Sequence, residues 1–272
     1  MFKDFIKLLT PPIFVEGYRT INRKKFGLYL HGDYSSWSEA VADSSGYDAS
    51  HILEKTRDAL LKVKNNEAVH EMDSILFDEI QYAWPVLAGL MWVAAQSDGH
   101  LNVLDFGGSL GSAYFQKRHF LPHLKKVRWN IVEQPQHVET GRQWFEDDNL
   151  KFHFDIEECL AETQPNVVLL SSVLHYLEHP YRLLEQVLSL PCDYVLIDRT
   201  PFWEGAVDRL CVQNVPPVIY PASYPCWIFS RQRFQLHIPE EWKLVAEFDS
   251  LDNFPSPVKT TWRGMILSRK SF

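Results

Sequence analysis

Asp105, Gly107 and Gly111 stand in the order acid-x-Gly-x-x-x-Gly, directly after a short apolar run from Leu101 to Leu104 that only Asn102 interrupts. Glycine permits positive φ and lets the backbone come within van der Waals distance of a ligand. A helix starting just beyond adds N–H groups that favour an anion or the polar edge of a ligand. The pattern predicts a buried parallel strand entering a tight turn. It also predicts Ser112 as the cap of a helix over 113–121, before Pro122. The dinucleotide fingerprint G-x-G-x-x-G is not met: Phe106 occupies the place of its first glycine, with Gly108 and Gly111 at the other two. An ordinary strand–turn–helix corner is the alternative reading.

Other residues with chemical capacity fall at the ends of later apolar runs. Glu133 closes the run Val127–Val132, 22 residues beyond Gly111. A carboxylate there can accept hydrogen bonds from both hydroxyls of a ribose; a solvated strand end is the plainer alternative. Asp155 follows Leu150–Phe154 and could instead cap the segment 156–162. The run Val167–Leu170 leads into S-S-V-L-H-Y-L, with Ser171 and His175 close behind. A neutral imidazole can take a proton near pH 7, which makes His175 the candidate base, set against a structural histidine at a helix start. His179, just before Pro180, is a poorer candidate. Arg199 has a planar donor fork suited to a phosphate or carboxylate on an acceptor, or to a nearby acid. Tyr220 and Tyr224 could stack on a sugar or nucleotide.

These residues need a scaffold that brings strand ends together. Strand and helix patterns alternate from residue 101 onward, which predicts a doubly wound parallel sheet with ligands at the carboxyl ends of its strands. A fifth strand is expected over Tyr194–Ile197, before D-R-T-P-F. Two closing strands, Trp242–Phe248 and Thr261–Ser268, should form an antiparallel pair. Between the fifth strand and this pair, 201–240 is rich in proline and aromatics and reads as a rigid pocket wall. Upstream, Ser35-Ser36-Trp37 should open a short helix to Ala42, and Ser50 should cap another over 51–63. Helical spacing over 73–96 predicts a long helix that Pro85 kinks or divides. Residues 1–100 thus read as an N-terminal helical and aromatic cap. Residues 101–272 read as the core, with 201–240 as an acceptor-pocket insertion.

The formal net charge of −8 argues against a generic nucleic-acid binder. The four cysteines show no C-x-x-C pairing, so neither a metal site nor a disulfide framework is expected. No run reaches the roughly 18 apolar residues of a membrane span, and the first fourteen residues fail as a signal peptide. A cytoplasmic protein is expected. Phe2, Phe5, Ile6 and Leu9 could share a helical face that should dock on the domain itself, with a weak membrane-surface contact as the alternative, and Arg23-Lys24-Lys25 reads as a solvated turn, with an anionic glycan or membrane contact as the lesser alternative.

The segments L-D-F-G-G-S-L-G, I-V-E-Q, L-L-S-S-V-L-H-Y-L, D-R-T-P-F and V-P-P-V-I-Y-P-A-S-Y-P together resemble a group of bacterial methyltransferase-like proteins. Such proteins are commonly encoded among genes for surface polysaccharide or capsule modification. The likeness runs from about Gly32 to Phe254 and includes the class I S-adenosylmethionine-dependent glycine motif, with Ser109 where a further glycine often stands. The resemblance implies an α/β fold: a Rossmann-like, doubly wound, mostly parallel seven-stranded sheet with an antiparallel final strand and an N-terminal helical cap. It implies S-adenosylmethionine as cofactor, held by Asp105, Gly107, Gly108, Ser109 and Gly111 around the methionine part. Glu133 and Gln134 would lie at the ribose, Asp155 and Ile156 at the adenine, and Ser171 on the floor. The resemblance supplies no acceptor; a small-molecule or glycan-precursor O-methyltransferase is the leading expectation, and a homodimer is left open. An NAD-dependent oxidoreductase and a non-catalytic adenosyl-binding module remain the alternatives.

Overall fold

The structure, a computed structural model, describes residues 28–46, 49–72, 74–216 and 221–269. The amphipathic N-terminal segment, the Arg23-Lys24-Lys25 turn and Tyr220 lie outside the described residues. The described chain opens with strand β1 (Tyr29–Tyr34) and helix α1 (Trp37–Ala42), which Ser36 caps by accepting from the Glu39 amide. Helix α2 (Ala49–Lys64) leads to β2 (His70–Met72), β3 (Ile75–Phe77) and helix α3 (Trp84–Gln96). The helical stretch expected over 73–96 is thus helical only from Trp84 onward. β2 and β3 pair as an antiparallel hairpin, and Pro85 sits in the first turn of α3, where its missing N–H is no loss.

Strand and helix then alternate as expected: β4 (His100–Phe106), α4 (Ser112–Lys117), β5 (Lys126–Val132), α5 (Pro135–Trp144), β6 (Leu150–His153), α6 (Ile156–Glu162), β7 (Val167–Ser171), α7 (Pro180–Ser189) and β8 (Tyr194–Trp203). Next come β9 (Arg209–Val215), β10 (Ala222–Ser230), α8 (Arg231–Leu236), β11 (Lys243–Asp249) and β12 (Thr261–Ser268). The helix after the glycines is shorter than expected, with Arg118–Phe120 forming a 3-10 turn beyond α4.

Strands β6, β5, β4, β7 and β8 lie side by side and parallel; β12 runs antiparallel to β8, and β11 antiparallel to β12. Side chains alternate between the two faces of these strands. Leu101, Val103, Ile131, Val167, Leu169 and Leu196 enter one core with α3 residues Leu90 and Val93. Leu104, Val132, Val168, Leu170, Val195 and Ile197 enter the other with α7 residues Leu184 and Val187. Burial on both faces explains why the runs read as continuous apolar stretches.

The sheet has ten strands among the described residues, not seven. β8 is longer than expected, and its end pairs with β10 in parallel through Phe202–Phe229 and Trp203–Ser230. β10 then pairs antiparallel with β9, and β9 with β1. Prolines concealed this extension. Pro225 sits in β10 opposite Val212 of β9, but its other flank is free of the β8 ladder, which reaches β10 only at 229–230. Proline is tolerated on such an edge because no ladder hydrogen bond is lost there.

Candidate functional site at the strand carboxyl ends

Pairing sets the ends of four parallel strands level. Phe106 lies opposite Val132, and Ser171 opposite Asp198, so Gly107, Glu133, Ser171 and Asp198 emerge at one edge of the sheet. Three of the non-glycine residues with positive φ are found here: Ser109 (53°), Ser172 (56°) and Arg199 (52°). Gly107 and Gly111 join them at 72° and 102°. Backbone held in this region by non-glycine residues is costly and concentrates at functional sites.

The glycine corner is built from both sides. The Gly107 amide donates to Val132 O at 2.9 Å, which tethers the turn to β5. A Cβ on Gly107 would lie 2.6 Å from Val173, and one on Gly108 would lie 2.7 Å from the Asp105 carboxylate. Neither position admits a side chain without displacement. Asp105 thus supports the loop from beneath. It is 1% exposed, accepts from Trp129 Nε1 at 2.8 Å, and burial pushes its pKa up to about 6. Gly111, not Ser112, caps α4, and the Ser112 hydroxyl donates instead to the Glu71 carboxylate in β2. That bond ties the N-terminal region to the corner.

Glu133 is half-buried opposite the turn. Its Oε1 accepts from the Ser109 amide at 3.3 Å and its Oε2 from the Gln134 amide at 2.7 Å. Gln134 itself is exposed and precedes Pro135 of α5. Asp155 caps α6 by accepting from the Glu158 amide at 2.7 Å. Ile156 is 3% exposed and packs in the core that contains Leu104 and Val168. Ser171 and Ser172 are half-buried, and the Ser172 amide donates to Asp198 O at 3.1 Å.

His175 lies in the short 3-10 turn Leu174–Tyr176 and is fully buried, with neither ring nitrogen hydrogen-bonded among the described residues. Trp262 stands edge-on to its ring at 5.4 Å and Tyr176 is tilted against it at 4.0 Å. Burial, with a smaller push from the Arg199 cation, drives its pKa down to about 3, so the imidazole is neutral. Tyr176 donates to Gln213 Oε1 at 3.0 Å, and Gln213 Nε2 donates to the Tyr224 hydroxyl at 3.3 Å. Tyr224 is thereby brought beside the His175 turn. Arg199 takes the second of its expected options: Nε bonds Asp252 at 2.6 Å, and the pair is largely buried.

Sequence reasoning missed several residues at this edge. Asp198 is buried and accepts from Ser250 Oγ at 2.8 Å, while Ser250 Oγ accepts from the Arg199 amide at 3.0 Å. Lys117 is 4% exposed; burial lowers its pKa to about 8, against the pull of Asp105 and Asp198. No local motif announces a lysine at the end of α4 or a serine 52 residues from its partner. A groove of about 360 Å³ lined by Trp242, Leu244 and Leu267 lies at the opposite end of the sheet, since Leu267 pairs with Val195 near the start of β8.

No family model matches the chain, and no curated protein is similar to it in sequence. Among solved structures it is similar to the N-terminal domain of EvdMO1 in the presence of SAH and D-fucose, at 13% identity over 83% of this chain and 98% of that one, with a TM-score of 0.48. It is similar to magnesium protoporphyrin IX methyltransferase (ChlM) from Synechocystis PCC 6803 with bound SAM, at 12% identity over 69% and 79%, TM-score 0.44. It is also similar to the CcbJ methyltransferase from Streptomyces caelestis, at 11% identity over 69% and 90%, TM-score 0.44. Likeness this distant says nothing about substrate or chemistry.

Proposed function

We propose that the chain is an S-adenosylmethionine-dependent methyltransferase acting on a hydroxyl of a small molecule or surface-polysaccharide precursor. The observation that carries the reading is the strand order. With the inserted strands β9 and β10 set aside and the others numbered from the glycine-bearing strand β4, the sheet runs 3-2-1-4-5-7-6, with the seventh strand, β12, antiparallel to the fifth, β8. A dinucleotide sheet runs 3-2-1-4-5-6. With Phe106 in place of the first fingerprint glycine, that order favours the methyltransferase over the NAD-dependent alternative.

The donor set suits the cofactor. The tight corner at Gly107 and Gly108 allows close approach of its methionine part, with Ser109 and Gly111 shaping the turn and Asp105 bracing it. Glu133 would accept from the ribose hydroxyls beside Gln134. Asp155 would meet the adenine amino group from the head of α6, and Ile156 would back that corner from the core. Ser171 would form the floor. Bound there, S-adenosylmethionine supplies an electrophilic methyl group, and orientation of the reactants can remove about 7–11 kcal/mol of the barrier. His175 is the candidate to receive the acceptor's proton, a role that requires acceptor binding to relieve the burial that holds its pKa at about 3. Tyr224 and Tyr220 would flank a sugar ring. Arg199, paired with Asp252, would set the position of the β8 end rather than bind an anion itself. Residues 1–100 would roof the cleft, and the Ser112–Glu71 bond supports that placement. Four free, buried cysteines fit a cytoplasmic enzyme.

The test is calorimetric titration with S-adenosylhomocysteine, with NAD⁺ in a parallel cell. The expected result is micromolar binding of S-adenosylhomocysteine alone, abolished in Gly107→Val. Binding of NAD⁺ instead would overturn the reading. For the base, His175→Gln should keep cofactor affinity but lose turnover in an acceptor screen starting with nucleotide sugars; unchanged turnover from pH 6 to 9 would remove His175 from the chemistry. Cofactor binding without turnover on any acceptor would favour the non-catalytic module.

A further inference from the structure

The β6–α6 corner carries a second cluster, separate from the glycine corner. His153 ends β6, and Glu158 and Glu162 lie one helical turn apart on α6. One potential ligand atom from each lies within 4.8 Å of the other two. His153 is 1% exposed, and its Nδ1 has no hydrogen-bond partner among the described residues.

The surrounding amides decide where the imidazole hydrogen sits. Asn102 Nδ2 donates to Thr163 Oγ1 and Gln164 O, both at 2.7 Å, so Asn102 turns its oxygen to Asn130. Asn130 Nδ2 donates to that oxygen at 2.8 Å and to Val103 O at 2.9 Å. Asn130 therefore turns its own oxygen to His153 Nε2, 3.3 Å away. An amide oxygen only accepts, so Nε2 carries the hydrogen and Nδ1 of the neutral ring keeps its lone pair. Burial lowers the His153 pKa, which favours that neutral ring, although Glu162 and Glu158 pull the other way. The cluster then combines an imidazole that keeps one unpartnered lone pair among the described residues with two carboxylates.

We propose that His153 Nδ1, Glu158 and Glu162 bind a divalent cation of the zinc class at this corner. Imidazole nitrogen with carboxylate oxygens suits zinc, and a water would complete a four-coordinate shell. An imidazole ligand that donates its other N–H to a carbonyl oxygen is the usual supporting arrangement, and Asn130 supplies it. Glu158 is held from behind, with Oε1 paired to Arg142 at 2.7 Å and Oε2 accepting from the Phe154 amide at 2.6 Å. Its remaining lone pairs stay open to a metal. Ligand atoms around zinc stand about 3.4 Å apart, so the cluster, whose ligand atoms lie within 4.8 Å of one another, closes by at most about 1.4 Å on binding. Glu162 is exposed at the last residue of α6 and is placed to make that movement. The bound ion would clamp both ends of α6 to β6 and fix the corner that carries Asp155. The proposal does not depend on the methyltransferase reading.

The experiment uses the full chain after removal of metal by EDTA. It is titrated with ZnCl₂ and separately with MgCl₂, and its histidine nitrogens are followed by long-range proton–nitrogen NMR. Expected are one tight zinc equivalent, a His153 ring protonated on Nε2 before titration, and a shift of Nδ1 on binding. Glu162→Gln, an exposed substitution that leaves the core intact, should weaken zinc by at least about tenfold. His153→Gln should weaken it further. No saturable zinc binding, zinc held no tighter than magnesium, a proton on Nδ1 of the neutral ring, or unchanged affinity in Glu162→Gln would each overturn the proposal. The last outcome would mean adventitious binding at exposed histidines.

Discussion

The two sides of the strand-end edge each bury a titratable group, and they bury it differently. Asp105, under the glycine corner, is bonded to Trp129 and sits near Lys117. His175, on the β8–β10 side, has both ring nitrogens unpartnered among the described residues and feels the Arg199 cation. Burial favours the neutral form of both, but neutrality has opposite signs for an acid and a base. Asp105, raised to about 6 from 3.8, adds stability below its unfolded value, and that stability is lost as pH rises through about 6. His175, lowered to about 3 from 6.5, adds stability above its unfolded value, and that stability is lost as pH falls through about 3. Between roughly pH 4 and 6 the two slopes oppose each other. The corner is a finished support, whereas the histidine side holds hydrogen-bonding capacity unused among the described residues.

Four substitutions break or sharpen this contrast. The largest effect belongs to Arg199→Met, which leaves Asp252 buried without its partner and should destabilise by about 3–5 kcal/mol in urea melts; Asp252→Asn on top should recover part of the loss. Asp105→Asn keeps an oxygen for Trp129 and removes the buried charge. It should stabilise at pH 8 by on the order of 3 kcal/mol and by nothing near pH 3.5, measured as the difference in unfolding free energy at the two values. A variant equally stable or weaker at pH 8 would mean that Lys117 already compensates the carboxylate. His175→Leu should do the reverse, with less loss of Tm than the parent when pH is lowered from 7 to 4.5. The smallest effect is expected from Ser250→Ala, about 1–2 kcal/mol, because Asp198 loses a donor and the Arg199 amide an acceptor.

The two regions also differ in how far they could be read in advance. Asp105, Gly107, Gly111 and Glu133 sit at strand ends that apolar runs mark locally. Their elements were legible because strands buried on both faces write themselves as Val, Leu and Ile in sequence. β12 matches its expected bounds, Thr261–Ser268, for the same reason. By contrast, β9 and β10 read as a rigid pocket wall, since proline suppresses the strand signal and Pro225 is permissible only because its outer flank lies off the β8 ladder. The hairpin at 70–77 was hidden inside a helical spacing because its three-residue strands are too short to impose a period of two.

The sequence by itself determined the alternation of strands and helices, the order of acids at strand ends, and the glycine corner. Each of these rests on periodicity or on φ angles that few residues tolerate. Tertiary structure alone decided what the acids do. Packing placed Asp105 beneath the loop, paired Arg199 with Asp252, and left His175 without a hydrogen-bond partner among the described residues. These outcomes depend on segments 24 to 53 residues apart meeting in space, and no local pattern encodes such a meeting.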